Sequence, residues 1–408
     1  MMALGRSDAG STTSSLLDER GRALVERVRT LARERFAARA DDYDRRAAFP
    51  VQDFEDLLAA GLHAPALPID EGGLGLGPVR GDAFTLWMIT RELARANLAL
   101  ARCWEAHVNA MVLLDAMATA EQRRRFVPGI VERGERWAAW SGEPLKRVPG
   151  QRVEIGTEVR RVEGGYVVRG TKVFSSGAGA VRWAILLVNT EGAGGVRHAT
   201  ASPESSLALI CDLSDPSVSF DSSWWDPIGM RATVSYLSRF NDTFIPEQNL
   251  LGRPGQYLQE DWQARFVPHY AASFLGAAAA AADYALEHVE ATGRHDDPYV
   301  QQRIGKIAMA LDSAQLWLHH VARAWDDGRI DEAKDAGSRA RYLVEQQALQ
   351  VVDDAVHVCG ARGLIRPSRL ERILRDLTFY VRHDNDDHIL ATVGRGVLGR
   401  RHDLSFHR

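Results

Sequence analysis

Gly170-Thr171-Lys172-Val173-Phe174-Ser175-Ser176-Gly177, running through Ala178-Gly179-Ala180 into Arg182-Trp183-Ala184-Ile185-Leu186, is the stretch on which the reading of this chain turns. Tyr166 to Phe174 alternates like a strand, Ser175 to Ala180 is small enough for a tight turn, and Trp183 to Val188 is a buried apolar strand. Gly, Ala and Ser in such a loop allow a planar ligand to approach the backbone closely, and the serine hydroxyls can donate or accept hydrogen bonds. The local pattern by itself reads first as an ordinary hairpin.

Working outward, the chain divides into three regions of an α+β fold. Residues 1–15 are rich in Gly and Ser without an apolar run, which suggests a flexible tail and no signal peptide. Residues 16–135 carry helical periodicity, as in Leu24-Val25-Val28-Leu31-Ala32 and Phe54-Leu57-Leu58, with breaks at Pro65–Pro68 and Gly72–Gly77. Residues 136–252 are short apolar runs separated by Gly, Pro, Asp and Ser, the pattern of a small β domain. Residues 253–408 return to long helical patterns at Val300–Ala324, Ser338–Val358 and Leu370–Tyr380. Gly72-Gly73-Leu74-Gly75-Leu76-Gly77 has a nucleotide loop's composition but not the GxGxxG register, and it follows no strand, so it reads as a turn.

Composition removes several function classes. At 408 residues the chain suits two or three packed units, and a net charge of -4 with both signs interspersed offers no broad surface for nucleic acid. Cys103, Cys211 and Cys359 are far apart, form no metal or redox spacing and fit a reducing cytoplasm. Ala271 to Leu286 is the most apolar helix, yet it is built of alanine and carries Asp283, short of the roughly 20 strongly apolar residues of a membrane span. An alanine-rich face of this kind suits close helix packing, often between subunits. His383, Asp384, Asp386, Asp387 and His388 gather metal-ligand types, but no His-x-x-x-His or Cys pair accompanies them, so the expectation is no metal.

Further landmarks are Phe49-Pro50, Ala60-Gly61-Leu62, Pro68-Ile69-Asp70-Glu71-Gly72-Gly73-Leu74-Gly75, Ser141-Gly142-Glu143-Pro144, Asp226-Pro227-Ile228-Gly229-Met230-Arg231-Ala232-Thr233, Gly360-Ala361-Arg362-Gly363 and Glu371-Arg372-Ile373-Leu374-Arg375-Asp376. Over roughly residues 20 to 400, their order resembles the acyl-CoA dehydrogenase superfamily. The resemblance implies an N-terminal helical domain, a middle β domain and a C-terminal four-helix bundle, with flavin at the seam between bundle and β domain, in a homotetramer. Dehydrogenases of this kind abstract a substrate proton with a glutamate. Counted from Arg375-Asp376, that position falls on Asp384, and the alternative position on an earlier helix falls on Phe266.

The Phe174-Ser175-Ser176-Gly177 loop and the His383-Asp384 pair are similar instead to the oxygenase components of two-component flavin monooxygenases. That resemblance implies reduced FMN or FAD supplied by a separate reductase, reaction with dioxygen through a C4a-hydroperoxyflavin, and oxygenation of a small molecule at nitrogen, sulfur or an activated carbon. Ser176, with Ser175 beside it, would meet the flavin N5 edge. Phe174 would flank the ring, Ser141 and Gly177 would complete the cofactor contacts, and Arg231 would reach a phosphate or anchor its turn. His383, tuned by Asp384, would sit near the oxygen adduct. Trp104 and His107, three apart on one helix face, would line the substrate pocket or pack in the core. The chain has no nicotinamide-binding module of its own, which is why a reductase partner is inferred. The alternatives are an acyl-CoA dehydrogenase with bound FAD and Asp384 as base, and a non-catalytic flavin-fold partner protein.

Overall fold

Helices build the first third of the chain because its apolar residues recur at helical spacing and its breaks carry capping residues. The computed structural model describes residues 15–144, 156–190, 203–383 and 385–400. Asp384 and nearly all of the expected N-terminal tail therefore lie outside the described residues. Helix α1 (Glu19–Leu31) buries Leu24, Val25 and Val28 behind an N-cap at Asp18, whose side chain accepts from the Gly21 N–H. It runs through a π-helical turn at Ala32–Phe36 into α2 (Ala37–Arg46), followed by α3 (Val51–Ala59). The glycine segment after α3 is a turn, as its register indicated: Gly72, Gly75 and Gly77 have φ of 85°, 64° and 110°. Next come α4 (Ala83–Ala96), α5 (Leu98–Met117) and α6 (Ala120–Val131). Asn97 adopts an extended conformation and caps α5 by accepting from Ala99 N at 3.1 Å, which breaks what would otherwise be one long apolar helix.

Seven strands follow among the described residues: β1 (Trp137–Trp140), β2 (Glu158–Val162), β3 (Gly165–Ser175), β4 (Trp183–Asn189), β5 (Ser206–Asp212), β6 (Val218–Asp221) and β7 (Tyr236–Pro246). They form a three-stranded sheet in the order β1-β4-β5 and a four-stranded sheet in the order β2-β3-β7-β6. The strand, loop and strand read from the sequence are present, but they are not a hairpin: β3 pairs with β2 and β7, while β4 pairs with β1 and β5. The Ser176–Arg182 loop thus crosses from one sheet to the other. Its ends are fixed by backbone bonds to other elements, Gly177 N to Thr233 O at 2.8 Å and Arg182 N to Arg136 O at 2.8 Å. A second apolar core, including Trp140, Val168, Leu186, Leu209 and Phe240, joins the two sheets.

The last third contains α7 (Gln256–Gln259), α8 (Trp262–Thr292), α9 (Pro298–Asp326), α10 (Ile330–Cys359), α11 (Arg369–Tyr380) and α12 (Asp386–Val397). One continuous core unites these helices with the N-terminal ones. Helix α8 is its axis: Ala271–Ala282 are buried against α4 and α10 of the same chain, so this alanine surface serves packing within the subunit. Among the described residues, no helix is long and apolar enough to cross a membrane. A Cβ at Gly276 would fall inside contact distance of the Arg91 carbonyl oxygen and the Ala94 methyl, which is why α4 and α8 can lie so close. Gly276→Val should therefore cost roughly 1–3 kcal/mol through overpacking, seen as a lower thermal or urea midpoint. An unchanged midpoint would mean that the α4–α8 spacing is not set at this residue.

Candidate active site

The loop that decided the fold is built under strain. Phe174 adopts φ 54°, a left-handed conformation that is a genuine outlier for a bulky side chain. It lies where the β3–β7 register shifts between Lys172 and Ser175. Neighbouring bonds determine this bulge: Val173 N donates to Gly142 O at 3.1 Å, and Trp140 Nε1 donates to Ser176 O at 3.2 Å. The result is a ring presented outward, 54% exposed, between buried neighbours Val173 and Ser175. Exposed Ser141 adjoins Gly142 on the same edge, so the structure brings Ser141, Phe174, Ser175, Ser176 and Gly177 together.

The hydroxyls of this edge have a defined polarity. Thr233 donates to Met230 O at 2.9 Å, so it accepts from Ser235 at 2.7 Å, and Ser235 in turn accepts from Ser176 at 2.9 Å. Each hydroxyl has one proton to give. The Ser176 proton is therefore committed inward, and its remaining capacity is that of an acceptor. Among the described residues, buried Ser175 Oγ has no hydrogen-bond partner, and such a hydroxyl calls for a ligand or water to complete it. An outward ring, an acceptor hydroxyl and an orphan hydroxyl on one small-residue loop fit the polar edge and flat face of a flavin.

Beneath the loop, buried Lys172 pairs with Glu143 and donates to Leu187 O at 2.7 Å, while Glu143 also accepts from Thr157 N and Oγ1 at 2.8 and 2.6 Å. Burial lowers the Lys172 pKa against the pull of Glu143. This ion pair locks the Ser141–Pro144 segment to β3 and β4.

Aromatic contacts lead from the loop into the helical bundle. Phe174 meets Trp224 at 5.0 Å and Trp225 at 6.3 Å, and Trp225 meets Phe379 on α11 at 5.7 Å. One residue further, Tyr380 turns inward, and His383 at the end of the following 3-10 turn packs on Tyr380 and Tyr270 at 5.8 and 4.9 Å. Helix α12 begins at an Asn385 N-cap that accepts from Asp387 N and His388 N, so Asp386 and Asp387 form its acidic first turn. Asp386 bonds buried Arg341 at 2.7 Å and Arg382 at 3.3 Å, and Arg341 also holds Val381 O, which clamps the His383 turn from below.

Behind His383 lies a cluster that the sequence reading missed. Glu105, fully buried on α5, accepts from Arg102 at 2.9 Å, from Ser273 on α8 at 3.2 Å and from Tyr380 on α11 at 2.7 Å. Burial raises its pKa to about 7 despite Arg102 and the hydroxyl donors. The signal was present as the charges Arg102 and Glu105, three apart in the first half of the largely apolar Leu98–Met117 segment. Other assigned residues have structural partners instead. His107 accepts from Trp137 N at 3.0 Å and donates to His63 O at 3.0 Å, so both ring nitrogens serve the backbone and burial drives its pKa well below the ordinary value. Trp104 is fully buried, edge-on to His269 at 6.2 Å. The Arg231 guanidinium bonds Asp44 O, Asp226 and Pro227 O, anchoring its own turn.

Two family models match the chain: "Acyl-CoA dehydrogenase, N-terminal domain" over residues 18–134 and "Acyl-CoA dehydrogenase, C-terminal domain" over residues 268–381. A putative acyl-CoA dehydrogenase, YdbM of Bacillus subtilis, is 26% identical over 373 residues, covering 88% of this chain and 92% of the relative. A dibenzothiophene monooxygenase of Rhodococcus erythropolis is 25% identical over 400 residues, covering 91% and 92%. Among solved structures, FMN-bound TdsC of Paenibacillus sp. A11-2 superposes with a TM-score of 0.80 at 20% identity, over 94% of this chain and 99% of that one.

The Glu105 environment has a pH signature. Its folded pKa is raised from 4.5 to about 7, so its contribution to stability falls as pH rises across that window. The stability difference between Glu105→Gln and the wild type should therefore move toward the variant from about pH 4.5 to 7 and stay level above it. Urea midpoints compared at several pH values read this shift; a pH-independent difference would show that Glu105 does not titrate there.

Proposed function

Because the chain belongs to the acyl-CoA dehydrogenase family, with both terminal domains matched, we propose that it is the oxygenase of a two-component flavin monooxygenase. It would take reduced FMN or FAD from a separate reductase and oxygenate a small organic molecule at nitrogen, sulfur or an activated carbon. Relatives named for dehydrogenation and for oxygenation match at 26% and 25% identity, so overall similarity does not choose between them. The observation that carries the choice is the end of α11, where His383 packs against Tyr270 and Tyr380 at the seam. Phe266, the other position counted for a dehydrogenase base, is a buried aromatic. An aspartate at 384 would be one methylene short for that task, and misplacing a base by such a length costs on the order of a hundredfold in rate.

Bound reduced flavin would supply the two electrons that activate dioxygen, one atom entering the substrate and the other leaving as water. The protein's part is to place protons and exclude solvent. Ser176, with its own proton given to Ser235, would accept from a reduced N5–H and hold that proton in place. Ser175 would complete its hydrogen bonding on the same edge. Phe174, with Trp224 and Trp225 behind it, would cover the ring face against water. His383 would hold or pass a proton near the reacting oxygen, the work of a group whose ordinary pKa lies near neutrality. A cytoplasmic homotetramer completes the proposal, and three separated, buried, unbridged thiols suit that compartment.

Mixing the protein with photoreduced FMN, and separately FAD, in oxygenated buffer tests this. A transient absorbance distinct from both reduced and oxidised flavin is expected. His383→Ala should divert the reaction to hydrogen peroxide, and Ser235→Ala, which frees the Ser176 proton, should shorten the transient several-fold. Direct conversion to oxidised flavin, together with bleaching of bound FAD by an acyl-CoA thioester, would assign dehydrogenation instead.

A further inference from the structure

Arg102 is the residue the proposed chemistry leaves unused. Its side chain is 13% exposed and stands over two phenol rings, with the guanidinium carbon 6.0 Å from the Tyr270 centroid and 5.7 Å from the Tyr380 centroid. Glu105 binds Nη1 from the buried side at 2.9 Å. On the other side, among the described residues, Nη2 reaches His383 Nε2 at 3.4 Å, the long limit for a hydrogen bond. That contact joins a permanent cation to a ring nitrogen that is itself a donor when protonated.

A guanidinium fixed by a carboxylate behind it and by aromatic faces beside it has lost most of its side-chain freedom already. It can therefore bind a further group at little entropic cost. Its outer nitrogen lies 3.4 Å from His383 Nε2, close enough for one oxyanion beside them to accept from both. Such charge-assisted bonds are stronger than the long nitrogen-to-nitrogen contact they would replace.

We propose that Arg102 and His383 form an anion subsite at the mouth of the seam, and that this protein's substrate is a small organic acid whose carboxylate, sulfinate or sulfonate docks there. The word substrate rests on the oxygenase reading above; the anion subsite itself does not. The same chemistry would also hold the phosphate of a flavin mononucleotide, so the test separates the two sources.

Calorimetric titration of the wild-type protein with benzoate and benzenesulfinate, against neutral benzamide and methyl phenyl sulfone, should give at least one anion about tenfold or more tighter than its neutral partner. Arg102→Gln should abolish the preference, Arg102→Lys should keep part of it, and His383→Ala should weaken the anion without affecting the amide. The double variant Arg102→Gln/Glu105→Gln removes both members of the pair, so it avoids a buried unpaired carboxylate if the single variant fails to fold. Equal binding of anions and neutral partners by the wild type, or an anion preference that survives loss of Arg102, would overturn the subsite. Reduced FMN and phosphate-free lumiflavin form the second arm. Arg102→Gln should leave both affinities unchanged, and a loss confined to FMN would assign Arg102 to the cofactor and overturn the substrate reading. Each titration is independent of turnover, so a failed oxygen assay and a failed subsite give different results.

Discussion

One buried carboxylate ties the helical halves of this protein together. Glu105 on α5 takes hydrogen bonds from its own helix, from α8 and from α11, and so joins segments more than 160 residues apart in sequence. Such a group is costly to bury alone, and removing one member of a buried pair typically destabilises by about 3–5 kcal/mol. Here three donors offset that cost, and the compensation dictates geometry. Tyr380 must turn inward to reach Glu105, which directs Phe379 to the opposite side of α11, toward Trp225 of the β domain. His383 follows one turn later, against Tyr270 and Tyr380. The polar tie in the core thus orients the residues that face the seam, and Arg341 fixes the same turn from the other end through Val381 O and Asp386.

The β domain makes its contribution by the opposite means, strain held in place by surrounding bonds. A left-handed conformation at a bulky residue such as Phe174 costs of order 1–3 kcal/mol and persists only where neighbours leave no alternative. The Lys172–Glu143 pair, the Val173–Gly142 bond and the crossing of the loop to the second sheet supply that determination. These constraints place an exposed aromatic ring next to two buried serines, an arrangement that a relaxed hairpin would not produce.

Much of this was legible in the sequence. The helix, sheet and helix order, the two strands around the loop and the turn at Gly72–Gly77 followed from periodicity and glycine placement. The loop's serines were singled out by the resemblance of Phe174-Ser175-Ser176-Gly177 to flavin monooxygenase oxygenases, since small residues between two strands by themselves describe an ordinary turn. The polarity of Ser176 could not, because it depends on Ser235 and Thr233, almost 60 residues away. Sequence spacing also misled. Trp104 and His107 share a helix face, but on a helix buried all round, a shared face does not indicate a cavity, and His107 became a backbone bridge to β1. Arg102 and Glu105, three apart on that helix, were the informative pair, since charge in an apolar helix demands a partner or a purpose.

The direction of a single proton separates the two chemistries this fold can host. Dehydrogenation delivers a hydride to N5 of an oxidised flavin, whose bare lone pair is best met by a donor. Oxygenation begins from a reduced flavin, whose N5–H needs an acceptor. The relay from Ser176 through Ser235 and Thr233 to the Met230 carbonyl spends its protons inward and presents an acceptor at its outer end. In the proposed pose that end meets N5, and it is matched to the reduced state and mismatched to the oxidised one. On the bundle side, the proposed proton carrier is His383 at the end of the 3-10 turn, one residue before the position counted for a dehydrogenase base. The two domains reach this agreement by unrelated means, a hydroxyl chain in one and a helix end in the other, and that independence is what gives the oxygenase reading its weight.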